Sequence, residues 1–303
     1  MTVQQPLFFV QRFKGRVQFN VPMSEHTTFR IGGPADVMVF PRDEGDLAEI
    51  IKFAESKRFH LYVFSGGSNL LVRDKGIRGI VVNMSEGFAD VVWPEETKAV
   101  AGAGVRLGVL VKECRDRGLT GLEFAGGIPG TVGGAVFMNA GAWGSEMKDV
   151  VEGVEVMGRK GRRGFLSSKD LDFSYRSSNI PEGSVITRVQ MRFAPSTPAE
   201  VEERIREYAR RRQSVSAAIA LPNAGSVFKN PAGEVAGKLI DEAGLKGASY
   251  GDASVSEVHA NYIVNRGRAA ASDVLRLMAL MRDKVYSRTG IVLEPEIRVV
   301  GED

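Results

Sequence analysis

Residues 121–146 form a segment that is rich in glycine and poor in charge, GLEFAGGIPGTVGGAVFMNAGAWGSE. Glycine loses more backbone freedom on folding than any other residue, so a dense run indicates backbone that takes unusual angles or approaches a ligand closely. Because few charged side chains fall inside it, we expect a bound anion to be held by backbone N–H groups. A glycine-rich surface loop explains the composition equally well, and glycine density alone does not decide between the two.

A second glycine-rich turn, Ser65–Asn69, follows a predicted strand at His60–Phe64. That strand comes after a predicted strand at Ala35–Pro41 and a helix at Asp43–Phe59, whose apolar residues recur at helical spacing behind an acidic first turn. Loops that cradle phosphate groups often lie directly after such a β-α-β unit. The two glycine-rich segments together suit a pyrophosphate.

Three further stretches supply polar side chains in the second half of the chain: Tyr175-Arg176, Asn223–Pro231 and Leu293–Gly301. Each also has an ordinary structural interpretation. Arg176 fits a hairpin charge, and Ser226 fits a turn hydroxyl. Glu294 and Glu296 alternate with apolar residues, as on the polar face of a half-buried strand. The residue types alone therefore assign them no chemistry.

Composition limits the classes of function. A chain of 303 residues exceeds the usual size of a single core, so we expect two or three domains. A net charge of +3 is too small to indicate nucleic acid, although the basic pI suits an anionic small molecule. One cysteine, Cys114, excludes an internal disulfide, and three histidines predict no metal cluster. We expect Cys114 to be a buried small hydrophobe and His259 to have a structural role.

The sequence predicts no secretion signal and no membrane-spanning run. We therefore expect a cytoplasmic protein with no membrane partner and no requirement for an oligomer. The predicted fold class is α+β. The predicted organisation is an N-terminal arm at 1–25, a domain at 26–194 with two subdomains divided near residue 80, and a C-terminal domain at 199–303. The stretch Ala194–Pro198 is predicted to be the linker.

Several elements are predicted with defined ends. A helix at Val105–Arg117 buries Cys114, and a basic hairpin tip lies at Arg159–Arg163. A long amphipathic helix is predicted to start with Ser272 as its N-cap and to end at Gly290. A final strand is predicted at Ile291–Val300.

A near match to the dinucleotide-binding fingerprint occurs at Gly102, Gly104 and Gly108. The glycine required for packing of the helix is displaced by one position, because Leu107 lies there. The flanking sequence also indicates antiparallel strands. No GxxxxGK[ST] motif is present either, so neither a Rossmann fold nor a P-loop NTPase is predicted.

Seven blocks, in order, resemble one enzyme family: SGGSNLLV, GIPGTVGGAVFMNAGAWG, SYRSS, NAGSVFKNP, AGKLIDEAGLKG, VSEVHANYIVN and LEPEIRVVG. Together they are similar to the UDP-N-acetylenolpyruvoylglucosamine reductase family, over a region from about Thr27 to Gly301. About fifty residues separate Arg176 from Ser226, without an inserted tyrosine-bearing loop, which resembles the shorter family subtype. One departure is Gln213-Ser214, where the family commonly has Gln-Pro, so the path of Ser214–Leu221 is not predicted.

The resemblance implies an FAD-binding fold of the p-cresol methylhydroxylase and vanillyl-alcohol oxidase type, followed by an α+β substrate-binding domain. It also implies that FAD contacts the two glycine-rich segments. No histidine lies in either segment, so we expect the FAD to be non-covalent. The implied cofactor contacts are Ser65, Gly66, Gly67, Ser68, Asn69, Leu70, Gly126, Gly127, Ile128, Pro129, Gly130, Gly133, Gly134, Asn139, Ala140 and Gly141.

The reaction implied is the NADPH-dependent reduction of UDP-N-acetylglucosamine enolpyruvate to UDP-N-acetylmuramate, a step of peptidoglycan precursor synthesis. The family's catalytic arginine, proton-donor serine and glutamate fall on Arg176, Ser226 and Glu296. The implied substrate contacts are Tyr175, Lys229 and Asn230. Two other functions stay open: a different flavoenzyme of this fold acting on small hydroxy acids or phenols, and a nucleotide-binding or structural protein without turnover.

Overall fold

The computed structural model describes residues 12–215 and 219–303, which form two compact units. The first unit takes in the described part of Met1–Phe19 together with Val37–Gly66 and Gly79–Arg210. The second is formed by Asn20–Asp36, Gly67–Arg78 and Arg211–Asp303. The units therefore interleave along the chain. The contiguous bounds 1–25, 26–194 and 199–303 stay a prediction, and the first eleven residues of the predicted arm lie outside the described residues.

The elements alternate between short strands and a few helices. The strands are Arg16–Pro22 (β1), Pro34–Phe40 (β2), Leu61–Phe64 (β3), Leu70–Val72 (β4), Ile77–Asn83 (β5), Val91–Glu95 (β6), Lys98–Gly102 (β7), Leu119–Thr120 (β8), Gly141–Ala142 (β9), Ser145–Glu146 (β10), Val151–Met157 (β11), Arg163–Ser167 (β12), Phe173–Ser174 (β13), Ser177–Ser178 (β14), Val185–Arg192 (β15), Ala194–Pro195 (β16), Ser249–Tyr250 (β17), Ala253–Val255 (β18), Ile263–Asn265 (β19) and Arg298–Val300 (β20). The α-helices are Glu44–Lys57 (α1), Leu107–Asp116 (α2), Val132–Phe137 (α3), Pro198–Val215 (α4), Ala236–Glu242 (α5) and Ala271–Thr289 (α6).

A four-stranded sheet in the order β1-β2-β5-β3 supports the first glycine-rich turn, which begins directly after β3. Its helix α1 is capped at its start by Asp43, whose side chain accepts the N–H of Asp46, and is followed by Arg58 in a left-handed conformation. The helix buries Leu47 and Ile50 completely, and each such side chain contributes about 1.5–3 kcal/mol. The predicted strand–helix–strand order is confirmed, with β5 lying between β2 and β3.

A five-stranded sheet in the order β12-β11-β15-β7-β6 forms the other half of the first unit, and all its pairings are antiparallel. This confirms the antiparallel setting that argued against a dinucleotide fingerprint at Gly102 and Gly104. Helix α2 buries Leu107, Leu110 and Cys114 as its spacing predicts. The predicted linker is partly wrong, because Ala194–Pro195 pairs with β8 before α4 begins.

Helix α6 contributes one face to the hydrophobic core of the second unit. The apolar side chains that recur at helical spacing are buried as predicted, namely Val274, Leu277, Met278, Met281 and Val285. Gly290 is left-handed, and its N–H is bonded to the Tyr286 carbonyl. The predicted N-cap is wrong, because the helix begins one residue before Ser272. Asp74 binds this end instead, since its two carboxylate oxygens accept the N–H groups of Ala271 and Ser272 at 2.7 and 3.0 Å. A side chain 197 residues away in sequence therefore stabilises the start of α6.

We expect Asp74→Ala to destabilise the second unit by about 0.5–2 kcal/mol, the usual cost of a lost helix cap. Urea unfolding followed by far-UV circular dichroism measures this. Asp283→Ala, on an exposed position of the same helix, is the matched control and should change stability by only a few tenths of a kcal/mol. Equal stability of the two variants would show that Asp74 does not cap α6.

The final predicted strand is shorter than expected, because only Arg298–Val300 is a strand and it pairs in parallel with β4. Before this strand, the main chain of residues 294–297 forms hydrogen bonds to another segment. The Glu296 N–H donates to the Val227 carbonyl, and the Lys229 N–H donates to the Glu294 carbonyl. Pro295, which has no N–H to donate, forms an isolated bridge with Phe228.

No helix among the described residues is both long and apolar enough to cross a membrane. The cytoplasmic location and the lack of a nucleic-acid partner stay predictions of the sequence.

Candidate functional site

The two glycine-rich segments meet in the first unit at Gly66 and Gly130. A Cβ atom at Gly66 would lie 3.0 Å from the Gly130 Cα, which is too close for an unstrained contact. Beside this contact the hydroxyls of Ser65 and Thr131 lie 2.5 Å apart and share a hydrogen bond. Gly127 and Gly130 have φ angles of 84° and 128°, which favour glycine. Main chain from both segments is therefore brought to one place.

Helix α3 follows directly, and its first N–H groups already have protein partners. Val132 donates to the Val105 carbonyl and Gly133 donates to the Ala103 carbonyl. A Cβ atom at Gly133 would meet the Ala103 Cβ at 2.6 Å, so glycine is required there for close packing. An anion at this segment would therefore depend on N–H groups other than those two. Gly66, Gly127 and Gly134 are exposed in the same segments.

The remaining residues of the first predicted cofactor loop belong to the second unit. Gly67 has a φ angle of 59°, and its carbonyl accepts the N–H of Thr28. The Asn69 side chain donates to the Glu296 carbonyl at 3.1 Å, and its own carbonyl accepts the Arg298 N–H. Leu70 is buried in β4. Asn69 therefore positions the segment that carries Glu296.

Arg176 lies in the first unit, in the two-residue turn between β13 and β14. Its φ angle of 56° is uncommon for a residue with a side chain, and such strain is concentrated at functional sites. The guanidinium donates to the Gly141 carbonyl at 3.0 Å and lies over the Tyr175 ring, 5.0 Å from its centre. Arg176 is half-buried, whereas Tyr175 is exposed.

Asn139 is fully buried, and its side chain already has protein partners. The side-chain N–H groups donate to the Glu146 carboxylate and to the Ser174 carbonyl, and the side-chain oxygen accepts the Lys148 N–H. A contact of Asn139 with a cofactor would therefore come from its main chain. Ala140 and Gly141 follow it as a half-buried turn into β9.

Ser226 lies in an extended segment of the second unit that is bonded on both sides. On one side lies Asn261, which is 3% exposed. Its side-chain oxygen accepts the Phe228 N–H, and its side-chain N–H donates to the Phe228 carbonyl. Its main-chain carbonyl accepts the Val227 N–H. On the other side lies the Glu296 N–H, bonded to the Val227 carbonyl at 2.8 Å. Ser226 and Glu296 are therefore held on adjacent segments.

The two candidate carboxylates have different surroundings. The Glu294 side chain is 74% exposed and pairs with the Lys229 ammonium at 3.6 Å. Glu296 is half-buried. Because residues 294–296 are not part of a strand, the prediction that both carboxylates share a strand face is wrong. Asn230 uses its side-chain oxygen to accept the Ala236 N–H at the start of α5.

The sequence predicts no catalytic role for Cys114 or His259, and the surroundings of both side chains fit that prediction. Burial raises the pKa of the Cys114 thiol to about 12, and the nearby Glu113 and Glu123 add to the rise. Burial also lowers the pKa of His259, whose Nδ1 accepts the Asn261 N–H. Across residues 12–215 and 219–303, no group of three or more His, Cys, Asp or Glu side chains is placed to hold a metal ion.

The second unit therefore brings Ser226, Lys229, Glu296 and Asn69 together, and the first unit holds Arg176 against the loop that follows α3. Sequence reasoning missed two residues. Thr131 lies inside the GTVGG motif, and its hydroxyl beside a glycine-rich turn was a usable signal. Asn261 gave none, because a buried asparagine cannot be told from an exposed one without the fold.

Comparison with known proteins gives matches along most of the chain. Residues 35–163 match a model described as an FAD binding domain, and residues 216–300 match one described as the C-terminal domain of UDP-N-acetylenolpyruvoylglucosamine reductase. A reductase of that name from Rubrobacter xylanophilus is 44% identical over 97% of this chain and 98% of its own length. One from Alkaliphilus oremlandii is 43% identical over 95% and 94%.

A solved structure shows the same likeness in three dimensions. The crystal structure of UDP-N-acetylenolpyruvylglucosamine reductase from Thermus caldophilus has a TM-score of 0.82 and 37% identity, covering 94% of this chain and 99% of that one. The predicted fold class is confirmed by these matches: an FAD-binding fold of the p-cresol methylhydroxylase and vanillyl-alcohol oxidase type, with an α+β domain after it.

Proposed function

The chain belongs to the UDP-N-acetylenolpyruvoylglucosamine reductase family, and we propose that it reduces UDP-N-acetylglucosamine enolpyruvate to UDP-N-acetylmuramate with NADPH as the electron source. It is an FAD-dependent oxidoreductase of peptidoglycan synthesis. The observation that carries the proposed catalytic roles is the hydrogen bond between the Glu296 N–H and the Val227 carbonyl. That bond holds the segment of the proposed proton donor, Ser226, next to the segment of the proposed carboxylate, Glu296.

The glycine-rich segments fit FAD because a side chain at Gly66 would separate them from one another. We propose that Ser65–Asn69 and Gly126–Gly141 hold the pyrophosphate and ribityl chain, and that Leu70 is a further cofactor contact. When bound, FAD supplies a two-electron carrier that accepts a hydride from NADPH and passes it to the terminal vinyl carbon of the substrate.

Arg176 is proposed to stabilise the charge that develops on the substrate. Addition of a hydride to the vinyl group makes the substrate carboxylate part of an enolate dianion. A planar guanidinium, charged at every physiological pH, matches two carboxylate oxygens with two parallel N–H groups. Donors fixed where charge develops are worth roughly 3–4 kcal/mol each. The strained turn and the bond to Gly141 support this role, because both limit the positions that the side chain can adopt.

Ser226 is proposed to give the second hydrogen, as a proton, to the carbon next to the carboxylate. A serine hydroxyl is a weak acid, but an enolate is basic enough to take its proton when a nearby positive charge stabilises the alkoxide. Lys229 lies three residues further along the same segment, and its ammonium group is the proposed source of that charge. Tyr175, Lys229 and Asn230 are proposed substrate contacts.

We expect the FAD to be bound without a covalent link. The chain has three histidines, His26, His60 and His259, and none lies in residues 65–69 or 121–146. Acid-denatured protein should therefore release its flavin into the supernatant. Flavin that stays on the precipitated chain would contradict the prediction, as would protein that stays colourless after reconstitution with FAD.

The proposed activity is tested by following NADPH oxidation with and without the enolpyruvyl sugar nucleotide. We expect oxidation to become fast only when that substrate is present, and we expect UDP-N-acetylmuramate as the product. Replacing NADPH with NADH in the same assay tests the choice of reductant. Fast reduction of the flavin by a small hydroxy acid or phenol would favour the other flavoenzymes of this fold. Flavin binding with no reduction by NADPH would favour a protein without turnover.

A further inference from the structure

Asn139 is the side chain that joins the loop after α3 to the hairpin carrying Arg176. It is 0% exposed and has a φ angle of 42°, in the left-handed region that asparagine tolerates better than most residues. One of its side-chain N–H groups donates to the Ser174 carbonyl at 3.1 Å, in β13. The other donates to Glu146, in β10 of the loop. The single side-chain amide of Asn139 therefore bonds two segments at once, one 35 residues and the other 7 residues further along the chain.

The same two segments are joined a second time through Arg176. Its guanidinium donates to the Gly141 carbonyl, two residues after Asn139. The hairpin is thus bonded to the loop both at its strand, through Ser174, and at its turn, through Arg176. Three residues of this small region other than glycine, Asn139, Trp143 and Arg176, have positive φ angles. A strained backbone conformation of this kind persists only where surrounding contacts hold it in place. The buried amide of Asn139 provides such contacts.

We propose that Asn139 is a positioning residue for Arg176: its side chain fixes the guanidinium where charge develops on the substrate, and that side chain does not contact the cofactor, which only the main chain of Asn139 would touch. The inference rests on the proposed function, because it concerns the step in which that charge appears. The physical reason is that a catalytic group misplaced by about 1 Å loses on the order of 10²-fold in rate. Without the bond to Ser174, the strained turn has one fewer contact to keep it in place.

The test is a double-mutant cycle of Asn139→Ala and Arg176→Lys, with each half-reaction measured by stopped-flow absorbance of the flavin. We expect Asn139→Ala to slow the oxidative half-reaction about 10²-fold and to leave flavin reduction by NADPH close to the wild-type rate. In the Arg176→Lys background the same substitution should cost no more than a few-fold, because residues that act as one unit have non-additive effects. A residue with a general structural role would give additive losses in both half-reactions.

Asn179→Ala is the matched control. Asn179 also bonds main chain through its amide, to residues 170 and 172, but these bonds lie at the open end of the hairpin, away from its turn, and do not reach the loop. We expect it to behave like the wild type in both half-reactions. Should Asn139→Ala fail to fold, Asn139→Asp keeps the volume and the acceptor oxygen and removes the N–H donors, so the same non-additivity with Arg176→Lys is expected from it.

Three results would overturn the inference. Additive effects of the two substitutions would show that Asn139 does not act through Arg176. Loss of flavin from Asn139→Ala, with normal kinetics once FAD is restored, would make Asn139 a cofactor-holding residue. Wild-type protein that fails to turn over the enolpyruvyl sugar nucleotide would overturn the proposed function together with this inference, whereas wild-type turnover with additive effects would overturn this inference alone.

Discussion

Replacing Ser226 with alanine is expected to leave flavin reduction by NADPH intact and to slow the oxidative half-reaction by about 10²–10⁴-fold, the usual contribution of a positioned proton donor. The reason is that flavin reduction needs no proton at the substrate carbon, whereas the second half-reaction cannot finish without one. Stopped-flow measurement of flavin absorbance, first with NADPH and then with the enolpyruvyl sugar nucleotide, separates the two steps.

The Ser226→Ala protein should fold normally, because the bonds that hold its segment do not involve the hydroxyl. They join Val227 and Phe228 to Asn261 on one side and Val227 to Glu296 on the other. Ser249→Ala, at an exposed serine of the same unit, is the matched control and should behave like the wild type. An equal loss in both half-reactions of Ser226→Ala would indicate a structural serine, and no loss in either would move the proton donor elsewhere.

Elements set by local pattern were predictable from the sequence. Helix α2 is the example: Leu107, Leu110 and Cys114 recur at helical spacing, and the same residues are buried in the structure. Local spacing fixes which face of a helix is apolar, whatever it packs against. The two glycine-rich segments were also predictable, because the need for unusual backbone angles is recorded in residue type.

Features that depend on distant partners were not predictable from composition and spacing. Asp74 caps α6 from 197 residues away, and Ser272 looked like a suitable cap from its position alone. Residues 291–297 alternate as a strand does, but the Glu296 N–H donates to the Val227 carbonyl and the Glu294 carbonyl accepts the Lys229 N–H. Asn139 resembled one more residue of a glycine-rich loop, whereas its amide joins two segments. In each case a long-range hydrogen bond decides the outcome.

The carboxylate near the C-terminus gives the other large expected effect. A carboxylate beside an enolate dianion is electrostatically unfavourable, so it helps only when it carries a proton or orients the proton donor or a water molecule. Glu296 suits this role better than Glu294. It is half-buried, its N–H bonds the segment of Ser226, and its carbonyl accepts from Asn69. Glu294 is largely exposed and paired with Lys229, an arrangement that contributes little in water.

We therefore expect Glu296→Ala to lower turnover by about 10²-fold or more, within the range of a lost acid–base group. Glu296→Gln should keep substantial activity, because an amide can still donate a hydrogen bond and has the same shape. Glu294→Ala is the matched control two residues away and should be the mildest of the three, since it removes an exposed ion pair. Steady-state turnover, measured beside the thermal midpoint of each variant, decides the order. If Glu294→Ala proves the most damaging at unchanged stability, the working carboxylate is Glu294, and its ion pair with Lys229 becomes the arrangement that activates Ser226.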